Sequence, residues 1–95
     1  MKPLIAIWLF TLSSTLLASD FTCTSGSSKR VIRIQYEQQY AFVPCQVVYE
    51  KEPEGTTETL WQAQNQAGYC EEKAEYLARR LTRFGWICVT TSDEN

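Results

Sequence analysis

The chain is 95 residues long, contains no histidine and carries a formal net charge of −2 at pH 7. Without histidine, the Ser-His-Asp and Cys-His arrangements of nucleophilic catalysis cannot be built. A mildly acidic balance also gives no electrostatic attraction to nucleic acid or to an anionic membrane surface, so we expect neither as a ligand.

The start of the chain has the layout of a secretory signal peptide. Lys2 precedes an apolar stretch, Leu4–Leu17, and two small residues follow it. The stretch contains several Ser and Thr residues and is shorter than the ~20 apolar residues of a spanning helix, so a retained membrane anchor is the less favoured alternative. We predict a signal peptide at 1–19 and a periplasmic or secreted domain at 20–95, with no stable membrane insertion after cleavage.

Three strands are predicted before a helix. The segment Asp20–Lys29 is rich in Ser, Thr and Gly, and we interpret it as irregular. Alternating apolar and polar residues predict a half-buried strand over Arg30–Tyr36, and β-branched and aromatic residues predict a second over Phe42–Lys51. A Glu-Pro-Glu-Gly turn leads into a third strand, Thr57–Gln64, whose inward face the pattern leaves ambiguous.

The helix is the clearest element and is predicted over Gln66–Phe84. Its apolar residues recur at steps of three and four and form one stripe, made of Ala67, Cys70, Ala74, Leu77, Leu81 and Phe84. We expect Asn65 to cap the N-terminus and Gly85 to take the left-handed conformation that ends a helix. A short last strand, Trp86–Thr90, follows.

The predicted mature part holds four cysteines, which are Cys23, Cys45, Cys70 and Cys88. In a short exported chain an even number indicates a disulfide framework, and the absence of both histidine and a C-x-x-C spacing argues against a metal site. Of the three possible pairings we favour Cys45–Cys70, which joins the helix stripe to the second strand. Cys23–Cys88 then joins the N-terminal segment to the last strand.

These elements predict a single α+β domain with the order β-β-β-α-β. A three-stranded antiparallel meander carries one helix, and the last strand joins the sheet at an edge, by a right-handed crossover if it runs parallel to its neighbour. Because a single helix covers only one side of a sheet, we expect the other side to be open.

Three sequence segments resemble a known group of proteins. They are VPCQVVYEK at Val43–Lys51, LWQAQNQAGYCEEKA at Leu60–Ala74 and GWIC at Gly85–Cys88. Together they are similar to a group of short uncharacterised exported proteins of Gram-negative bacteria, a pattern with no assigned activity. The resemblance therefore implies no catalytic, cofactor or binding residue. Periplasmic lysozyme inhibitors are similar only in size and compartment.

The open side of the sheet is the first candidate for function. The alternation predicts that Ile32, Ile34, Tyr36, Cys45, Val47 and Tyr49 face inward, and that Val31, Arg33, Gln35, Phe42, Gln46, Val48 and Glu50 face the open side. If Trp61 joins the open side, it adds an aromatic group to aliphatic and Arg groups, the composition of binding hot spots. A mixed solvated sheet face is the alternative interpretation.

The favoured hypothesis is a non-enzymatic binding module, inhibitor-like or accessory, that contacts an envelope protein through Arg33, Val48 and Trp61. It needs no cofactor, and its oligomeric state stays open. The second hypothesis is a carbohydrate- or peptidoglycan-directed protein that uses the acids of the hairpin Glu50–Glu58. A glycosidase requires two acids held in a cleft, and a turn in so small a domain offers none, so no catalytic residue is predicted.

Overall fold

The computed structural model of the protein describes residues 20–91. The predicted signal peptide at 1–19 and the last four residues, 92–95, lie outside the described residues. In chain order the elements are β1 Asp20–Ser25, β2 Ser28–Tyr36, β3 Cys45–Glu52, β4 Thr56–Ala63, α1 Tyr69–Arg83 and β5 Ile87–Thr91. The strands form one antiparallel sheet in the order β4-β3-β2-β1-β5. The α+β class is confirmed.

The prediction of three strands before the helix is wrong, because the segment interpreted as irregular forms β1 and the start of β2. Phe21 and Cys23 alternate with threonines along β1, and Cys23 is fully buried. The two-residue loop Gly26–Ser27 closes a hairpin between the two strands. Its Gly26 has φ 62°, which glycine adopts at little steric cost. The observed order is therefore β-β-β-β-α-β.

The helix is shorter than predicted at its N-terminus. It begins at Tyr69, and its N-cap is Gly68, with φ 90° and no capping side chain, so Asn65 does not cap it. The C-terminus is as predicted: Gly85 has φ 100°, and the Trp86 N–H donates to the Leu81 carbonyl at 3.0 Å. This pattern is a Schellman motif, which satisfies carbonyls that the helix end leaves free.

The helix covers one face of the sheet, and the core lies between them. Its buried side chains are Cys70, Ala74, Ala78 and Leu81. They pack on the inward-facing strand residues Cys23, Ile32, Ile34, Cys45, Val47 and Ala63. The predicted ends of the stripe lie outside this core, because Ala67 precedes the helix and Phe84 is 70% exposed.

Both predicted disulfides are present. Cys45–Cys70 joins β3 to the first turn of α1, and Cys23–Cys88 joins the facing strands β1 and β5. The four half-cystines belong to the core or pack against it. For so small a domain these cross-links supplement a core that is limited in size.

The ends of the sheet agree with the prediction except at Phe42. β3 begins after Pro44, as expected of a residue without a backbone donor. Phe42 therefore lies in the preceding loop, 6.5 Å from the ring centre of Tyr36, and does not belong to the open side of the strand. β5 is an edge strand, as predicted, and its direction, which the sequence left open, is antiparallel to β1.

Candidate functional site

The face of the sheet that the helix leaves uncovered is built around an arginine. Cross-strand pairing places Arg33 on β2 opposite Val48 on β3, and Glu50 follows two residues along β3 on the same side. The Arg33 guanidinium donates two hydrogen bonds to Glu50, from Nε at 3.2 Å and from Nη2 at 3.1 Å. Such two-point pairs fix the geometry as well as the charge of a guanidinium.

A second carboxylate completes this cluster. Asp20 Oδ2 lies 3.8 Å from Arg33 Nη1, and its Oδ1 accepts from the Ile34 N–H at 3.3 Å. The hydrogen bond with Glu50 raises the pKa of Arg33, the charges of Glu50 and Asp20 add to the effect, and burial opposes it. The Arg33 side chain is 39% exposed. The face therefore presents a positioned cation between two anions.

Around this cluster the uncovered face is largely polar. Gln46 donates to Gln35 at 3.2 Å, and the hydroxyls of Thr22 and Thr91 lie 3.1 Å apart. Val48 is only 5% exposed although no helix covers it. The stems of neighbouring long side chains shield such positions while their polar ends stay in water. Apolar exposure on this side is concentrated in β5.

Trp61 does not join Arg33 and Val48. The pairing of β3 with β4 shifts register between Val47 and Val48, so Trp61 lies opposite the fully buried Val47 and faces the helix. There its ring meets Tyr76 edge-on, with centres 6.2 Å apart. The predicted three-residue surface is therefore divided between two faces. A bulge changes the side-chain alternation locally, and the regular pattern in the sequence contains no sign of it.

A row of rings and cations runs along the flank of the helix next to β4, and sequence reasoning missed it. Lys73 Nζ lies 5.5 to 5.6 Å from the ring centres of Trp61, Tyr69 and Tyr76. Arg80 lies over Tyr76 and Phe84, and its hydrogen bond to the Tyr76 hydroxyl lowers the pKa of that phenol. The helical residues of the row are spaced at i,i+3 and i,i+4, as neighbours on one helix face are. This spacing is visible in the sequence and could have predicted the row.

The carboxylates of the acidic hairpin are divided between the two sides of the sheet. Glu50 is bound to Arg33 on the uncovered face, whereas Glu58 lies opposite Tyr49 on the side of the helix. Glu52 lies on the same side as Glu50, but its carboxylate faces another cation, with Oε1 4.0 Å from Lys29 Nζ. Residues 20–91 contain no group of three or more His, Cys, Asp or Glu side chains arranged to hold a metal ion.

A surface concavity of about 650 Å³ lies beside the loop before β3, and its walls come from the continuous segment Tyr36–Phe42. Burial raises the pKa of the Tyr36 phenol, and its hydrogen bond to Glu71 Oε2 adds to the shift. The other carboxylate oxygen of Glu71 is buried without a hydrogen-bond partner. Tyr40, at the loop tip, is 99% exposed, so this wall of the concavity is open to solvent.

No family model, curated protein or solved structure matches the chain. Within the described range, no helix has the length and apolar character needed to cross a membrane.

Proposed function

We propose that the protein is a small non-enzymatic binding module that contacts a protein partner through the uncovered face of its sheet, around Arg33. The observation that carries the proposal is the Arg33 cluster on the face that α1 leaves uncovered, where the guanidinium donates two hydrogen bonds to Glu50 on the neighbouring strand. A side chain that is already positioned loses little conformational freedom on binding, and arginine is enriched in binding hot spots.

The composition of the face favours a protein surface as the partner. A cation between two carboxylates, surrounded by Thr and Gln, can form several directed hydrogen bonds but offers no deep apolar pocket for a small molecule. The two disulfides support an oxidising compartment, where such bonds persist. We infer a periplasmic or secreted location and an envelope protein as partner, and the resemblance to exported four-cysteine proteins stays a prediction.

The alternative of a carbohydrate-directed protein has less support from the geometry. Two acids that act on one bond must face a common space. Glu58 points to the opposite side of the sheet from Glu50, and Glu50 and Glu52, which share a side, are paired with Arg33 and Lys29. We therefore do not assign the hairpin acids a role in a reaction.

A pair of substitutions on one edge strand tests the proposal. Thr59 is exposed opposite Val48 on the uncovered face, and Thr56 is exposed opposite Lys51 on the side of the helix. Immobilised wild-type protein and the variants Thr59→Lys and Thr56→Lys are exposed to an envelope extract, and captured proteins are identified by mass spectrometry. We expect a partner to be captured by wild type and by Thr56→Lys and lost with Thr59→Lys. Equal capture by both variants, or no specific capture by wild type, would contradict the proposal.

A further inference from the structure

The edge strand β5 has features that distinguish it from the other edge of the sheet. Ile87 is 69% exposed and Val89 is 57% exposed, and the strand contains no charged residue and no proline. The opposite edge, β4, contains Glu58 and a register shift against β3. Charges and bulges are two of the means by which proteins keep edge strands from pairing with other chains. Within residues 20–91, β5 has neither.

The register of β5 on β1 determines which backbone groups point away from the sheet. Cys88 lies directly opposite Cys23, with 3.9 Å between the two Cα atoms. Such a short separation is typical of a non-hydrogen-bonded antiparallel pair, whose N–H and C=O groups point away from each other. The N–H and C=O of Cys88 therefore point to the free edge, and the two-residue repeat places those of Thr90 there as well.

We propose that β5 pairs with β5 of a second copy of this chain, antiparallel and about a two-fold axis at Val89. In this register Cys88 of each copy lies opposite Thr90 of the other, and their free N–H and C=O groups form four hydrogen bonds. Val89 lies opposite Val89, and Ile87 opposite Thr91, on the uncovered face. The exposed aliphatic side chains are buried against uncharged groups, and like charges do not face each other across the axis.

The pairing creates one continuous sheet of ten strands. Side chains that face each other across an antiparallel pair lie on the same side of a sheet, so the two uncovered faces join and the two helices lie on the other side. A second copy fits this edge because its β5 brings the same uncharged residues to a two-fold contact, so that exposed aliphatic side chains meet one another and no charge is buried. The pairing depends on β5 alone and holds whether or not the Arg33 cluster binds another protein.

The test measures the mass of the disulfide-bonded protein by analytical ultracentrifugation, from about 1 µM to about 1 mM. Because the contact is far smaller than a standard interface, we expect a monomer–dimer equilibrium with a Kd of roughly 10 µM or weaker. Thr90→Pro removes a free-edge N–H from each copy, and the loss of two hydrogen bonds is expected to raise the Kd about 30-fold. The matched control Thr90→Ala keeps that N–H and is expected to dimerise like wild type.

A second variant keeps the test decisive if the proline disturbs the strand. Val89→Lys is compatible with an exposed position and places two ammonium groups opposite each other at the axis, so we expect it to be folded by circular dichroism and monomeric. A wild-type protein that stays monomeric up to 1 mM would overturn the proposal. So would a dimer that Val89→Lys leaves unchanged, since its contact would then lie elsewhere.

Discussion

Removal of the Cys45–Cys70 disulfide tests how the helix is held on the sheet. The bond closes a loop between residues separated by 25 positions, and on the loop-entropy model it stabilises the fold by about 3.5 kcal/mol. Domains of this size have total stabilities of about 5 to 10 kcal/mol. We expect the Cys45→Ala, Cys70→Ala variant to lose about 3.5 kcal/mol in urea unfolding, with a larger m value because its unfolded chain is less compact.

The local effect should be concentrated in the first turn of the helix. That turn has Gly68 as its N-cap and no capping side chain, and it is joined to the sheet by the disulfide and by the hydrogen bond from Tyr36 to Glu71. Hydrogen bonds around Gly85 hold the other end. In the double-alanine variant we expect amide hydrogen exchange to accelerate more at Ala74 than at Leu81.

The matched control is the Cys23→Ala, Cys88→Ala variant. Its bond spans 65 positions, and its removal should cost about 4 kcal/mol without a selective change at the helix N-terminus. A loss below about 1 kcal/mol for the Cys45–Cys70 pair, or equal acceleration along the whole helix, would refute the reasoning.

Two further predictions concern the phenol of Tyr36 and the two faces of β3. Burial and the hydrogen bond to Glu71 raise the pKa of Tyr36 in the folded state above its ordinary value of 10.0. The folded state therefore holds this proton more tightly than the unfolded chain, and the free energy of unfolding should fall as pH rises above 10. Tyr36→Phe should flatten that decline in urea unfolding at alkaline pH, and an unchanged slope would contradict the assignment. Val47→Ala should lower the free energy of unfolding by about 2 to 3 kcal/mol because Val47 is fully buried under the helix. The neighbouring change Val48→Ala should lower it by about 1 kcal/mol, because side chains on the uncovered face can collapse into the space. Equal losses in thermal unfolding would contradict the distinction.

Much of the fold could be predicted because it follows from local patterns. The steps of three and four around Cys70 and Ala74 define a helix face, and the alternation around Val47 defines a strand face. Together these two patterns led to the Cys45–Cys70 pairing, because each cysteine belongs to the buried side of its element. The missed strand also had a signal: Gly26–Ser27 is a recognised hairpin dipeptide, but the many Ser and Thr residues around it resemble a loop.

The candidate site was only half predictable. Arg33 and Val48 were assigned correctly to the uncovered face, since their strands keep a regular alternation. Trp61 was placed there only by assumption, and the register shift in β4 turns it to the helix. The partners of Arg33 were not predicted either. Asp20 lies on β1, and β1 is placed beside β2 by a hairpin that was not predicted from the sequence.

By itself, then, the sequence determined the type of every regular element except β1, the inward side of two strands and the pairing of the cysteines, because side-chain periodicity is a local property of the chain. Only the tertiary structure decided the place of β1 between β2 and β5 and the face of Trp61. These depend on contacts between residues distant in sequence. A single bulge or hairpin changes them while leaving the local pattern almost the same.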